Sequence, residues 1–283
     1  MNEIINEPFL RWAGGKRWLA RNLSKTLSTK SFNQYHEPFI GCGALYFMKF
    51  SGIPSFISDI NDELIETYRM LRYDPKGIIS EMEKLDNSEE TYYRIRGEYF
   101  QDPIKRAARF IYLNQTSYNG IYRVNVKGEY NVPYGFRTKN FLEKEKLLRA
   151  SAALKKSYIC NGDFSCCYDS IEKGDLVYLD PPYTVSHNNN GFIKYNKHLF
   201  SLDDFQRLSK FIDYIRAKGA FYIMSNAAHP QVFEIFDKGD IVYRVQRSSL
   251  VGGKNAFRGS TEEYVFTNIA DAILSEAVHY ERI

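Results

Sequence analysis

The chain alternates short apolar runs with glycine, proline and polar turns, and the most telling of these runs is Leu176-Val177-Tyr178-Leu179. It is led by Gly174-Asp175 and stopped by Asp180-Pro181-Pro182-Tyr183, which predicts a central strand covered on both faces. The two prolines supply no N–H to a ladder and fix their own φ, so the chain must leave the sheet there and set Asp180 at a carboxyl strand end. Further strands are predicted at Tyr35 to Ile40, Pro54 to Ile57, Tyr158 to Asn161 and Ala220 to Ser225. Ile241 to Gln246 and Glu263 to Asn268 read as a closing antiparallel pair. Helical patterning covers about Arg17 to Leu27, Ala44 to Phe50, Asn61 to Leu71, Pro103 to Gln115 and His229 to Phe236. Ser201-Leu202-Asp203-Asp204 caps another helix running to about Ala217. From Asp74-Pro75 to about Leu154 the sheet pattern disappears. The fold class is therefore α/β, a Rossmann-like sheet built from residues 1–60 and 155–283, with residues 61–154 inserted as a helical and β-hairpin domain.

Composition narrows the class without naming a function. At 283 residues, 44% hydrophobic and 25% charged, the chain has the make-up of a globular protein. No apolar run approaches the roughly 18 residues of a membrane span and the start lacks a secretory pattern, so a cytoplasmic protein with no membrane partner is expected. Cys42, Cys160, Cys166 and Cys167 form no Cys-x-x-Cys pair and the histidines show no ligand spacing, so no metal and no disulfide framework is expected. Net charge is only +4. Its distribution is uneven: the stretch Arg94 to Lys156 carries 14 Lys or Arg against 5 Asp or Glu, the footprint of a segment that meets phosphates.

Candidate chemistry follows from the strand ends. Tyr35 to Ile40 delivers Phe39-Ile40-Gly41-Cys42-Gly43 into a helix, the first half of a nucleotide-binding unit. Asp59 follows Gly41 by 18 residues, close to the offset at which an acid accepts hydrogen bonds from ribose hydroxyls. Phe9-Leu10-Arg11-Trp12-Ala13-Gly14-Gly15-Lys16 forces a second turn, whose glycines permit close backbone approach and whose Lys16 could meet an anionic group. Asp163-Phe164 at another strand end could hold an adenine amino group and cover its ring, or Asp163 could simply cap the next turn. Thr116 to Gly135 reads as two short β-type runs about Lys127-Gly128, a hairpin rich in Tyr, Asn and Arg and suited to base edges. Thr184 to Phe200 has the polar make-up of a mobile loop beside the site. Arg247, Lys254 and Arg258 sit in a stretch suited to phosphate contact. For a substrate such as the exocyclic amine of adenine, the Asp180 carboxylate and the Pro181 carbonyl could accept the two N–H hydrogens and localise the nitrogen lone pair. Pro182 and Tyr183 would fix direction and stack on the base. S-adenosyl-L-methionine, whose sulfonium already activates the methyl group, would need positioning and no metal. A base inside a duplex must be flipped out, and Tyr118 is the candidate that fills the gap.

The motifs Asp180-Pro181-Pro182-Tyr183, Phe39-Ile40-Gly41-Cys42-Gly43 and Phe9 to Lys16, in this order around the hairpin Tyr118 to Gly135, resemble the Dam family of DNA adenine N6-methyltransferases, most closely its DpnII-type members, over nearly the whole chain. The resemblance implies a class I methyltransferase fold, S-adenosyl-L-methionine as cofactor, double-stranded DNA as partner and methylation of adenine within GATC; a monomer is expected, since each strand of a palindrome can be methylated in turn. It implies cofactor contacts by Trp12, Ala13, Gly14, Lys16, Phe39, Gly41, Gly43, Asp59, Asp163, Phe164 and Asp180, with catalysis at Asp180, Pro181, Pro182 and Tyr183. It also implies DNA contacts by Arg11, Tyr118, Asn119, Ile121, Arg123, Asn125, Pro133 and Arg137, with Tyr118 intercalating and Ile121, Arg123 and Pro133 reading bases. Arg11 stands where the family usually has lysine, and Ile121 where leucine is common. The rivals are a cytosine-N4 methyltransferase, which typically carries Ser at the position of Asp180, a protein-glutamine methyltransferase, which would carry Asn, and a DNA-binding protein on an inactive scaffold.

Overall fold

The computed structural model describes residues 6–24, 27, 31–125, 127–183, 200–248, 260–271, 273–275 and 279–283. The loop expected at 184–200, apart from Phe200, and the phosphate contacts expected of Lys254 and Arg258 lie outside them, as does the side chain of Arg247. In chain order the elements are α1 (Arg17–Asn22), β1 (Tyr35–Glu37), a π-helical turn (Tyr46–Phe50), β2 (Ser55–Asp59), α2 (Asp62–Tyr73), α3 (Pro75–Glu83), α4 (Glu89–Gly97) and α5 (Pro103–Thr116). After these come α6 (Lys144–Leu154), β3 (Ser157–Asn161), β4 (Leu176–Leu179), α7 (Leu202–Ala217), β5 (Phe221–Ala227), α8 (Pro230–Phe236), β6 (Ile241–Ser248), β7 (Ser260–Thr267) and β8 (Tyr280–Arg282). By contact density the chain divides into two compact units, Met1–Arg21 with Ile40–Cys166, and Asn22–Phe39 with Cys167–Ile283.

In the first unit β2 and β3 run parallel, from Ser55 opposite Ser157 to Asp59 opposite Asn161. Helix α2 begins where Asn61 Oδ1 accepts from the Leu64 amide. Asp74-Pro75 ends α2, as expected, and also starts α3. Asp74 caps the new helix through the Gly77 amide, and proline at the first helical position gives up an N–H that had no helical partner. Helices α3, α4 and α6 were not foreseen, because a proline boundary and short amphipathic stretches resemble loop when no long period supports them. The expected hairpin turns about Lys127-Gly128, with bridges in place of continuous strands. Among the described residues of the segment the bridges are isolated ones, Val124 with Tyr130 and Ser117 with Tyr134. Backbone amides pair across it, Asn125 to the Glu129 carbonyl and Asn131 to the Arg123 carbonyl, and side chains add to these: Tyr92 and Arg96 both donate to the Val132 oxygen, at 2.7 and 3.0 Å. Tyr130, Val132 and Tyr134 thereby drop into an aromatic cluster with Tyr92, Ile95, Tyr112 and Leu113.

In the second unit the strand order is β1-β4-β5-β7-β6-β8, with β1, β4 and β5 parallel and β7, β6 and β8 antiparallel. All of β4 is buried, as its unbroken apolar run requires. The capping box expected at Ser201 forms with Asp204, and β6 with β7 is the expected antiparallel pair. The short strand β8 was not anticipated. Among the described residues no helix is long and apolar enough to cross a membrane, and no group of His, Cys, Asp or Glu has the make-up of a metal site. The four cysteines remain thiols, and burial raises that of Cys166 to about 11.

Candidate active site

The glycine turn after Ile40 is held from both sides. Gly41 donates its amide to Asp59 Oδ2 at 3.0 Å, and its carbonyl accepts from the Tyr68 hydroxyl at 2.8 Å. The second oxygen of Asp59 accepts from the Asn61 amide at 3.0 Å. The 18-residue spacing in the sequence is thus a direct contact, in which the acid shapes the turn that precedes it. Burial raises the Asp59 pKa above the ordinary carboxylate value, against the lowering effect of the amides of Gly41, Asn61 and Ile60. Gly41 has φ +46°, and a Cβ there would lie 3.0 Å from the Trp12 indole. Only glycine lets the backbone pass so close to that ring. Gly43, at φ +65°, meets Ile40 and Phe47 in the same way.

Trp12 stacks on Tyr122, centroids 5.6 Å apart and planes 14° apart, so the indole is fixed between the glycine turn and the hairpin. Ala13 and Gly14 beyond it are exposed, and at Gly14 (φ +77°) an added Cβ would meet nothing within 4 Å. Lys16 is buried, and its ammonium donates to the Gly14 carbonyl at 2.9 Å. At the end of β3, Gly162 donates to the Asp59 carbonyl, which brings Asp163 to the neighbouring strand end. Asp163 caps the following turn through the Ser165 amide, the alternative left open by the sequence. Phe164 is buried in the core, 3% exposed. The first unit therefore gathers Trp12, Gly14, Lys16, Gly41, Gly43, Asp59 and Asp163 about a pair of parallel strand ends, the place where open α/β sheets bind ligands.

The same unit carries the expected DNA-reading residues. Asn114 clamps the Arg11 peptide by accepting its amide at 2.8 Å and donating to its carbonyl at 2.7 Å. The Arg11 side chain lies over the positive-φ Gly120 and donates to the Ser117 carbonyl. Burial and the neighbouring Arg137 lower its pKa to about 10, which leaves it charged at neutral pH. Tyr118, Asn119, Arg123 and Pro133 are exposed, and Ile121 is half-buried. Asn119 holds a left-handed backbone at φ 54°. Arg123 is splinted to its own hairpin, with Nε donating to Asn131 Oδ1 at 2.7 Å and Nη2 to the Asn131 carbonyl. Asn125 organises the turn: its Oδ1 accepts from Lys127 and Glu129, and its Nδ2 donates to Glu129.

The second unit holds Phe39 and Asp180-Pro181-Pro182-Tyr183 beyond the parallel strands β1 and β4. Phe39 meets Phe200 edge to face. Asp180 Oδ1 accepts from Ser225 Oγ at 3.0 Å, and Ser225 is itself hydrogen-bonded to the Tyr178 hydroxyl at 2.8 Å. Burial, and then the Asp180 charge, push the Tyr178 pKa well up, so this phenol stays protonated and donates toward the serine. Pro181 is buried and Pro182 exposed. Tyr183 sends its hydroxyl inward to Glu263. Tyr122, Tyr68, Ser225 and Glu263 were missed by the sequence reading. The signal for Ser225 was faint, a polar residue ending an apolar run, and Glu263 looked like any acid beginning a strand.

A family model for the "D12 class N6 adenine-specific DNA methyltransferase" matches residues 12–250. The type II methyltransferase M.MjaIII of Methanocaldococcus jannaschii is 34% identical over 270 residues, which is 88% of this chain and 93% of that protein. The type II methyltransferase M1.LlaDCHI of Lactococcus lactis subsp. cremoris is 33% identical over 94% of this chain and 97% of its own length. A DNA adenine methylase of Vibrio cholerae is 32% identical over 69% of this chain and 72% of its own. With the strand-end acids, the clamped glycine turn and the Asp-Pro-Pro-Tyr tetrad in place, the chain belongs to the D12 class of N6 adenine-specific DNA methyltransferases.

Proposed function

We propose that this DNA adenine methyltransferase uses S-adenosyl-L-methionine as methyl donor and acts on double-stranded DNA, within GATC, on an adenine flipped out of the helix. The observation that carries the reading is the Asp180 carboxylate at a strand end, oriented by Ser225 and followed by Pro181 and Tyr183. Cytosine-N4 and protein-glutamine enzymes, expected to carry Ser and Asn at this position, are disfavoured by the aspartate. The cofactor fits the first unit's residues: Gly41 lies under the Trp12 ring at a distance only glycine allows, and an acid stands beside it. Trp12, Lys16, Gly41, Asp59 and Asp163 would hold it, and when bound it supplies an electrophilic methyl group.

Asp180 and the Pro181 carbonyl accept the two N–H bonds of the target amine, which draws the nitrogen lone pair out of the ring. The nitrogen's surplus proton leaves toward Asp180 once the N–C bond has formed. Tyr183 and Pro182 stack on the base. Residues 61–154 form the target-recognition domain: Tyr118 takes the place of the flipped base, Ile121, Arg123 and Pro133 read base edges, and Asn119, Asn125 and Arg137 position the duplex, while Arg11, outside that domain, takes the place of the family's lysine at the outer guanine. A monomer working in the cytoplasm suffices, since each strand of a palindrome is methylated in turn.

Labelled methyl transfer to duplexes that contain or lack GATC tests the reading. Transfer confined to GATC duplexes is the expected result, transfer to another site would refute the assigned sequence, and transfer to none would refute the reaction. The hairpin makes a narrower prediction. Arg123→Ala should lower kcat/KM on GATC by about 10- to 100-fold, corresponding to the roughly 1–3 kcal/mol of a bidentate base contact, and should relax preference at one base pair only. A uniform loss across single-base variants of the site would instead make Arg123 a phosphate contact.

A further inference from the structure

Glu263 is an acid with no part in the roles above, yet it is fully buried at 0% exposure on β7. Burial of a carboxylate is costly unless partners satisfy it. Its Oε2 accepts from the Tyr183 hydroxyl at 2.9 Å. Glu263 lies opposite Ala227 of β5, and Val265 opposite Ser225. Because side chains alternate along a strand, Glu263 and Ser225 face the same side of the sheet. One oxygen-bearing side chain on that side thus holds Asp180 and the other holds Tyr183. Tyr183 is half-buried as a residue, and its phenol is anchored inward by this bond. Burial first, and the charges of Glu263 and Asp180 next, push the Tyr183 pKa well above its ordinary value. The hydroxyl is therefore a lasting donor.

We infer that Glu263 is a positioning residue, whose carboxylate fixes the angle of the Tyr183 ring and so the plane in which the target adenine is presented to Asp180. This rests on the functional reading above, in which Tyr183 stacks on the base. Sequence distance hides the pair, since 80 residues separate its members, and only the antiparallel return of β7 alongside β5 unites them.

The test compares wild type, Glu263→Gln, Tyr183→Phe and the double variant. In Glu263→Gln the charge-assisted hydrogen bond becomes a neutral one of about half the strength. A ring tilted out of place lowers kcat by about 10- to 100-fold. Affinity for a duplex with adenine at the target should fall, while affinity for the same duplex with an abasic target stays unchanged. Tyr183→Phe should lower kcat at least as far, and Glu263→Gln added to it should cost nothing more. Turnover within twofold of wild type in Glu263→Gln, equal losses of affinity on both duplexes, or multiplicative losses in the double variant would each overturn the inference. Should Glu263→Gln not fold, wild-type turnover by Tyr183→Phe would overturn it. Wild type inactive on every duplex would refute the functional reading and this inference with it, whereas an active wild type beside an unaffected Glu263→Gln refutes the inference alone.

Discussion

Asp180→Asn is expected to lower kcat by about 10²- to 10⁴-fold, the range of a positioned proton-handling group, while binding of S-adenosyl-L-methionine changes by only a few-fold. Asparagine preserves volume, and its Oδ1 still accepts from Ser225, the hydrogen bond that orients the native carboxylate at 3.0 Å. The amide nitrogen then replaces Oδ2 and presents N–H donors to an amine that needs acceptors. The lone pair of the target nitrogen stays delocalised, and the proton released after transfer loses its destination. A reduction of this size corresponds to about 3–5 kcal/mol of barrier. Single-turnover transfer, with cofactor affinity measured by equilibrium dialysis, separates the terms. If kcat stayed within threefold of wild type, Asp180 would have no role in shaping the amine. Ser225→Ala should show a smaller loss in the same direction, because it removes one hydrogen bond that orients the carboxylate and leaves the carboxylate itself in place.

The parts of this site legible in the sequence are those whose cause is local. The strand Leu176–Leu179 and its proline stop follow from an apolar run and the chemistry of proline, and the cap at Ser201 from a four-residue pattern. Asp59 was legible through its spacing from Gly41, although its hydrogen bonds go to the Gly41 and Asn61 amides, which makes it the organiser of the turn as well as a candidate ligand. The segment proposed to read DNA was legible in composition and charge but not in conformation. Tyrosine is favoured in strands, yet Tyr134 here donates its hydroxyl to the Asn87 carbonyl and Tyr92, from a helix, to the Val132 carbonyl, so the segment is held as much from outside as by its own bridges. Long-range partners left no local trace: Ser225 finds Asp180 across 45 residues, and Trp12 finds Tyr122. No periodicity within a window of ten residues encodes such a contact.

The largest effect in the first unit is expected from Asp59→Ala. The substitution strips the Gly41 and Asn61 amides of their acceptor and removes the acid proposed to meet the cofactor's hydroxyls. Hydrogen bonds to a charged group contribute about 1.5–3 kcal/mol each, so losing one should weaken cofactor binding by about 10- to 200-fold. Calorimetric titration reads this directly, and wild-type affinity in a folded Asp59→Ala protein would remove Asp59 from the cofactor site. The pH dependence has a definite sign. Because burial raises the folded-state pKa of this acid, the folded protein takes up the proton at a higher pH than the unfolded chain does. The Asp59 contribution to folding stability is thus unfavourable above the raised pKa and is relieved as pH falls through it. Cofactor affinity moves the opposite way, falling over the same window as one acceptor becomes a carboxylic acid. Asp59→Asn, which has no proton to exchange, should bind weakly at every pH and lose that dependence, so a wild-type pH profile in Asp59→Asn would assign the titration to another group.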